Sequence, residues 1–239
     1  MDCHLKYPHH GIRMKPLIGV TKPLRGGLIQ NLCIRLAIFM TGGRSINLTS
    51  DKPRLDLNLD GLIISGGTDI HPEVYSGSEF KHNYSYDRER DEMELNWLKK
   101  AEFEQIPTLC ICRGAQLLNV YYGGSLFFDI SKAYKNADYP NSLFAKIFFR
   151  KPARVLSGKI RDMIQQNKLS VNSLHTQAIA TLGGKLKRTM IEDNGVVQAI
   201  EHKDLPFLLG VQFHPEFLIH RKEIRRIFKT LVSFKTKTV

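Results

Sequence analysis

The stretch Pro107-Thr108-Leu109-Cys110-Ile111-Cys112-Arg113-Gly114-Ala115-Gln116-Leu117-Leu118 limits what this chain can fold into more than any other. It is a short apolar run that stops at a small residue and passes at once into a helical pattern. A run that is apolar throughout is covered on both faces, as parallel strands of α/β sheets are. Two further runs share this character: Asp60-Gly61-Leu62-Ile63-Ile64-Ser65, apolar after its first turn, and Leu208-Leu209-Gly210-Val211-Gln212-Phe213. Each ends at groups able to do chemistry, namely Ser65-Gly66-Gly67, Cys112 and His214. Strand ends are where open α/β sheets place their sites.

The remaining pattern predicts how such a sheet is completed. Residues 17–21 read as the first strand. Leu28, Leu32, Leu36 and Phe39/Met40 recur at helical spacing over 28–40, and Gly42-Gly43 ends that helix. A second strand is expected over 44–47 and an irregular loop over 70–83. Asp91 and Glu94 have the spacing of a capping box, with Met93, Trp97 and Ala101 continuing the helix to about 104. A helix follows Cys112 over 115–122, then a short strand over 125–130. Residues 131–151 read as an excursion at the sheet edge. A helix over 156–165, a strand stub over 169–172 and an antiparallel pair (185–190 and 196–201) around Asp193-Asn194-Gly195 follow. Neither a repeat nor a low-complexity linker divides the chain. The expectation is an α/β three-layer sandwich with a central, mostly parallel sheet and a small antiparallel extension. Residues 14–239 would form one domain behind a flexible leader, 1–13.

Charge narrows the function. The net charge is +12, and the excess sits late: Arg221, Lys222, Arg225, Arg226, Lys229, Lys235 and Lys237 face one acid, Glu223, from position 221 onward. Ile224, Ile227, Phe228 and Leu231 recur at helical spacing there, so the tail reads as an amphipathic helix with a solvated basic face. No finger, basic zipper or aromatic-interleaved patch supports nucleic-acid binding. No apolar run approaches a membrane span, and residues 1–14 lack the apolar centre of a signal peptide. The four cysteines (Cys3, Cys33, Cys110 and Cys112) have no zinc or CxxC spacing, which suggests a reducing compartment, the cytoplasm.

The three strand ends suggest thiol chemistry. A thiolate is favoured by a helix N-terminus and a nearby imidazolium, and Cys112 would have both if His214 lies close. Glu216, two residues on, could orient that ring. The amide of Arg113 and one from Gly67 could receive the negative charge that develops on a carbonyl oxygen. Locally, each feature also has a plainer reading: Cys112 as a buried structural thiol, His214 as a structural histidine and Gly66-Gly67 as a tight loop.

Together the blocks are more specific. They comprise residues 60–67 with Asp69, Pro72 and Tyr75; Arg90-Asp91 with Glu94; 111–120; Gly123-Gly124-Ser125-Leu126; Val171-Asn172-Ser173-Leu174-His175; and 210–216. With these blocks the chain resembles the class I glutamine amidotransferase-like superfamily. More closely, it resembles the gamma-glutamyl-gamma-aminobutyrate hydrolase family, a peptidase C26-like group, from Lys15 to about Phe228. The resemblance implies Cys112 as nucleophile, His214 as base and then acid, Glu216 as its partner, and Gly67 and Arg113 as oxyanion donors. It also implies Gly66, Gln116, Ser173, Leu174 and His175 near the glutamyl group. The reaction would release an amine and then, with water, glutamate from a small gamma-glutamyl amide. The resemblance implies no metal or organic cofactor, and self-association is left open. Three positions depart from the family pattern: Cys110 where a glycine is usual, Thr176 where a second histidine is, and Phe128 where a glutamine is. The alternatives are a glutaminase subunit serving a separate synthetase and a non-catalytic binding protein on the same scaffold.

Overall fold

The computed structural model describes residues 14–75, 77, 84–135, 149–173 and 175–234. The proposed leader, Leu174, most of the 131–151 excursion, Lys235 and Lys237 lie outside the described residues. In chain order the strands are β1 (Leu17–Thr21), β2 (Arg44–Leu48), β3 (Gly61–Ile64), β4 (Thr108–Ile111), β5 (Leu126–Phe127), β6 (Lys151–Val155), β7 (Lys168–Val171), β8 (Ala178–Ile179), β9 (Leu186–Glu192), β10 (Val197–His202) and β11 (Leu208–Val211). The helices are α1 (Leu28–Met40), α2 (Arg88–Phe103), α3 (Arg113–Tyr121), α4 (Ile130–Ala133), α5 (Gly158–Ile164) and α6 (Lys222–Ser233).

Nine strands form the main sheet in the order β2-β1-β3-β4-β11-β10-β9-β6-β7. The first five run parallel, and the other four extend them antiparallel. This is the predicted three-layer arrangement. Alternation along the strands divides the core. Ile63, Leu109 and Ile111 face one layer with Ile34, Ile160 and Phe228, while Leu62, Ile64 and Cys110 face the other with Trp97, Leu98 and Leu117. Helices α1, α5 and α6 therefore cover one face, and α2 and α3 the other. Among the described residues no helix is long and apolar enough to cross a membrane.

Several elements differ from expectation. Helix α2 begins one turn earlier than the capping-box reading, with Asp87 as its cap accepting from the Arg90 amide at 3.2 Å. Asp91 and Glu94 are buried inside the helix, where they meet arginines instead of the helix end. The strand expected over 125–130 is only two residues long, because Asp129 caps α4 by accepting from the Ser131 amide at 3.0 Å. The loop after β3 contains a 3-10 turn over Pro72–Tyr75.

Gly114 fixes the spacing between the start of α3 and β3. A Cβ there would stand 2.9 Å from the Ile64 carbonyl carbon and closer still to its oxygen. Both atoms are backbone and cannot swing aside. Gly114→Ala is expected to cost about 1–3 kcal/mol as an overpacked contact, read as a lower midpoint in urea unfolding. An unchanged midpoint would contradict this account of the turn.

Candidate active site

The chain turns from β4 into α3 at Cys112, whose backbone has φ 52° and ψ −107°. A positive φ at a non-glycine residue is strained by about 1–3 kcal/mol and persists only when its surroundings hold it. They do so here. The Cys112 amide donates to the Val211 carbonyl at 2.7 Å, and the Cys112 carbonyl accepts from Ala115 at 3.0 Å and Gln116 at 3.2 Å. Amides in the first turn of a helix have no partner within the helix, so the turn presents N–H groups beside the sulfur.

Parallel pairing of β4 with β11 brings His214 to the same edge: Val211 stands opposite Ile111 in register. The ring is buried, and its Nδ1 donates to Glu216 Oε1 at 2.8 Å. That leaves Nε2 for Cys112, with which the ring also hydrogen-bonds. Burial pushes the imidazole down, but the Coulombic pull of Cys112 and Glu216 and the hydrogen bonds to both outweigh it, and His214 is raised to about 10. Gln30, on α1, donates to Glu216 Oε1 at 2.9 Å. Gln212 lies beside the sulfur, with Nε2 3.6 Å from Cys112 Sγ, and Asn172 Oδ1 accepts from the His214 amide at 3.2 Å.

Beneath the turn lies a buried charge network. The Arg113 guanidinium donates to both Asp91 and Glu94. Arg90 donates to Glu94 Oε1 at 2.8 Å and to the carbonyls of Ser65 and Gly66 at 3.1 and 3.0 Å. Thr21 Oγ1 donates to Glu94 at 2.6 Å. Burial pushes the Glu94 carboxyl up, but Arg113 and Arg90 hold it below its usual range. The same two carboxylates overcome burial at Arg113 and raise it further.

Cys112, Arg113, His214, Gly66, Gly67, Gln116 and His175 line one cleft of about 440 Å³. Gly66 has no room for a side chain, since a Cβ would lie 2.6 Å from Gln30 Nε2 and 3.1 Å from His214 Cε1. His175 is driven down to about 4, chiefly by burial, and is neutral near pH 7; its ring meets the Gln177 carbonyl at 2.5 Å. Ser173 is buried and accepts from Gln198 Nε2 at 2.8 Å; it is not among the residues that line the cleft. Thr176 Oγ1 donates to the Asp69 carboxylate at 3.1 Å, and the Tyr84 hydroxyl accepts from the Asp69 amide at 2.8 Å. Sequence reasoning missed Gln30, Arg25 and Tyr84, which also line the cleft. It quoted Gln212 inside a block without a role. Among the described residues no group of three or more His, Cys, Asp or Glu could hold a metal ion.

Against known proteins, the profile of the peptidase C26 family matches residues 31–216. A Schizosaccharomyces pombe protein named for the glutamine amidotransferases is 38% identical over 194 residues, covering 78% of this chain and 74% of that one. The gamma-glutamyl-gamma-aminobutyrate hydrolase of Escherichia coli O157:H7 is 28% identical, covering 90% and 91%. Among solved structures, the glutaminase domain of the Trypanosoma brucei CTPS superposes with a TM-score of 0.61 at 16% identity, covering 93% of this chain and 95% of that one. This last likeness shows the fold.

Two outcomes test the site's electrostatics. Glu94→Gln leaves Arg113 and Arg90 under-neutralised in the interior and is expected to cost about 3–5 kcal/mol, as breaking a buried ion pair does; chemical unfolding of the variant measures it. The raised His214 contributes stability that is full below its ordinary value of 6.5 and lost as pH rises through about 10. Thermal midpoints of wild type and His214→Asn should therefore converge as pH climbs from 6 toward about 10. A gap that stays constant would refute the charged imidazole.

Proposed function

This chain belongs to the peptidase C26 family, within the class I glutamine amidotransferase-like superfamily, and from that premise we propose that it hydrolyses the amide bond of small gamma-glutamyl amines. One observation carries the reading: Cys112 sits on a strained strand-to-helix turn against a histidine backed by a carboxylate. Such a trio activates a nucleophile, and the positive φ lifts it from the strand.

In the proposed reaction the Cys112 thiolate attacks the gamma-carbonyl carbon. The carbonyl electron pair moves to oxygen, where the amides of Gly67 and Arg113 receive the charge. The oxygen reforms its double bond as the C–N bond breaks, and His214 Nε2 gives its proton to the departing amine. A gamma-glutamyl thioester remains. His214, now neutral, takes a proton from water, whose oxygen attacks the same carbon and releases glutamate and the thiolate. Glu216 and Gln30 keep the ring in place throughout. A zwitterionic glutamyl head calls for one cation and one anion, and the cleft offers Arg25 and Asp69. The compartment would be the cytoplasm, in keeping with a free thiol.

Glutamate release from a panel of gamma-glutamyl amides tests this. The panel holds glutamine and gamma-glutamyl conjugates of gamma-aminobutyrate and of polyamines. Cys112→Ala is expected to abolish release, and wild type stopped with acid should show a gamma-glutamyl mass adduct on the Cys112 peptide. Glutamine hydrolysis that rises only with an added synthetase would favour the ammonia-supplying role. No release from folded wild type on any conjugate would sink the proposal. For Gln30→Ala, the imidazolium loses part of its support, and kcat should fall about tenfold or more with little change in KM.

A further inference from the structure

Helix α1 is apolar on both sides. Its inner face buries Asn31, Ile34, Ala37 and Ile38 against the sheet layer. Its outer face exposes Leu28 (78%), Leu32 (62%), Phe39 (68%) and Met40 (53%), with Ile29 and Leu36 about half exposed. Within that face Ile29, Leu32, Leu36 and Phe39 are spaced three, four and three apart, the a/d seam of two heptads. Arg35 is the one charged side chain of the helix, and its Nε donates to Ser45 Oγ at 3.3 Å, toward β2.

We propose that this face is the interface with a second copy of the chain, the two α1 helices packing antiparallel across a two-fold axis between Leu32 and Leu36. In that arrangement Leu32 meets Leu36 of the partner subunit, and Ile29 meets Phe39 of the partner subunit. Three observations favour a second copy. Six large apolar side chains of one helix face stand about half exposed or more, and a monomer seldom leaves so contiguous an apolar patch uncovered. The seam is self-complementary, since equal heptad spacing on both helices lets each side chain enter a gap of the other. The four seam positions are uncharged, and the cations that flank them are Arg35, held to Ser45, and Lys15, whose ammonium lies 5.6 Å from the centre of the Phe39 ring, so the pairing leaves both at its rim. The net charge of +12 opposes association at long range, so salt should strengthen the dimer by screening. The inner side of the same helix carries Gln30 at Glu216, so the partner would brace the wall of the cleft. The proposal rests on α1 alone and stands whether or not the proposed reaction is correct.

Sedimentation velocity and light scattering of the full chain, from sub-micromolar to high micromolar concentration at low and high salt, test it. Wild type is expected to have twice the mass of one chain, and more so at high salt. Leu32→Glu and Phe39→Glu each place a carboxylate in the seam and should weaken the dimer on the order of a hundredfold, as loss of a central anchor does. Phe103→Glu, at an exposed apolar residue on α2, should leave it intact. Circular dichroism checks that the variants fold, and the neutral Leu32→Gln repeats the test if the acidic pair does not. Wild type that stays monomeric throughout overturns the proposal. So does a dimer that survives both seam variants. A monomer that binds phosphatidylserine vesicles through Phe39 would overturn it in favour of a membrane surface.

Discussion

The buried guanidinium of Arg113 holds the site together. It belongs to the first residue of α3, next to the cysteine, and reaches down to Asp91 and Glu94 of α2. Glu94 also takes Arg90, and Arg90 takes the carbonyls of Ser65 and Gly66 at the end of β3. A single hydrogen-bonded network thus ties the Cys112 turn to the glycine turn across two layers. Ions this deep lose much hydration, and their attraction returns it only when geometry and partners are complete. That condition explains why so many donors converge on two carboxylates. Arg90 Nη1 and Arg113 Nε are buried without a hydrogen-bond partner among the described residues, so the network is held by its remaining bonds to Asp91, Glu94, Ser65 and Gly66.

The sheet does the rest of the positioning. In-register parallel pairing of β3, β4 and β11 sets Ile64 opposite Cys110 and Val211 opposite Ile111. Their carboxyl ends therefore emerge side by side, and each delivers one part of the site: glycines, thiol and imidazole. Rigid strands, not loops, set those distances, which suits a reaction that needs its groups held closely. Helix α1 adds Gln30 from the opposite layer, so the site draws on both helical layers.

This division explains what the sequence revealed. Buried parallel strands, the turn at Cys112, and the His214 and Glu216 spacing are local patterns, and each was legible. Contacts between distant positions were not. Gln30 lies 186 residues from Glu216, and nothing near it distinguishes it from any helical glutamine. Asp91 and Glu94 matched a capping box, yet Asp87 is the cap, because two carboxylates at helical spacing also suit buried arginines beside them. Ser173 belonged to a recognisable block but points to Gln198. In α1 the spacing of Leu28, Leu32 and Leu36 marks a helix; it does not show that the sheet takes the other stripe.

The two cysteines of β4 and its turn show how much environment decides. Cys110 stands on β4, and its side chain enters the α2 and α3 layer without exposure. Burial raises that thiol well above its usual range, and the Glu94 carboxylate adds to the rise. It stays neutral, and a small apolar group fills the place. Cys112, two residues on, leaves the strand at positive φ and meets His214, which burial lowers but Cys112 and Glu216 together raise. The same functional group is therefore inert on one side of the turn and paired with an imidazolium on the other. Residues two apart on a strand share a face, yet these two sulfurs lie in different layers, because the chain leaves the strand at Cys112 with a positive φ and turns its side chain to the other side.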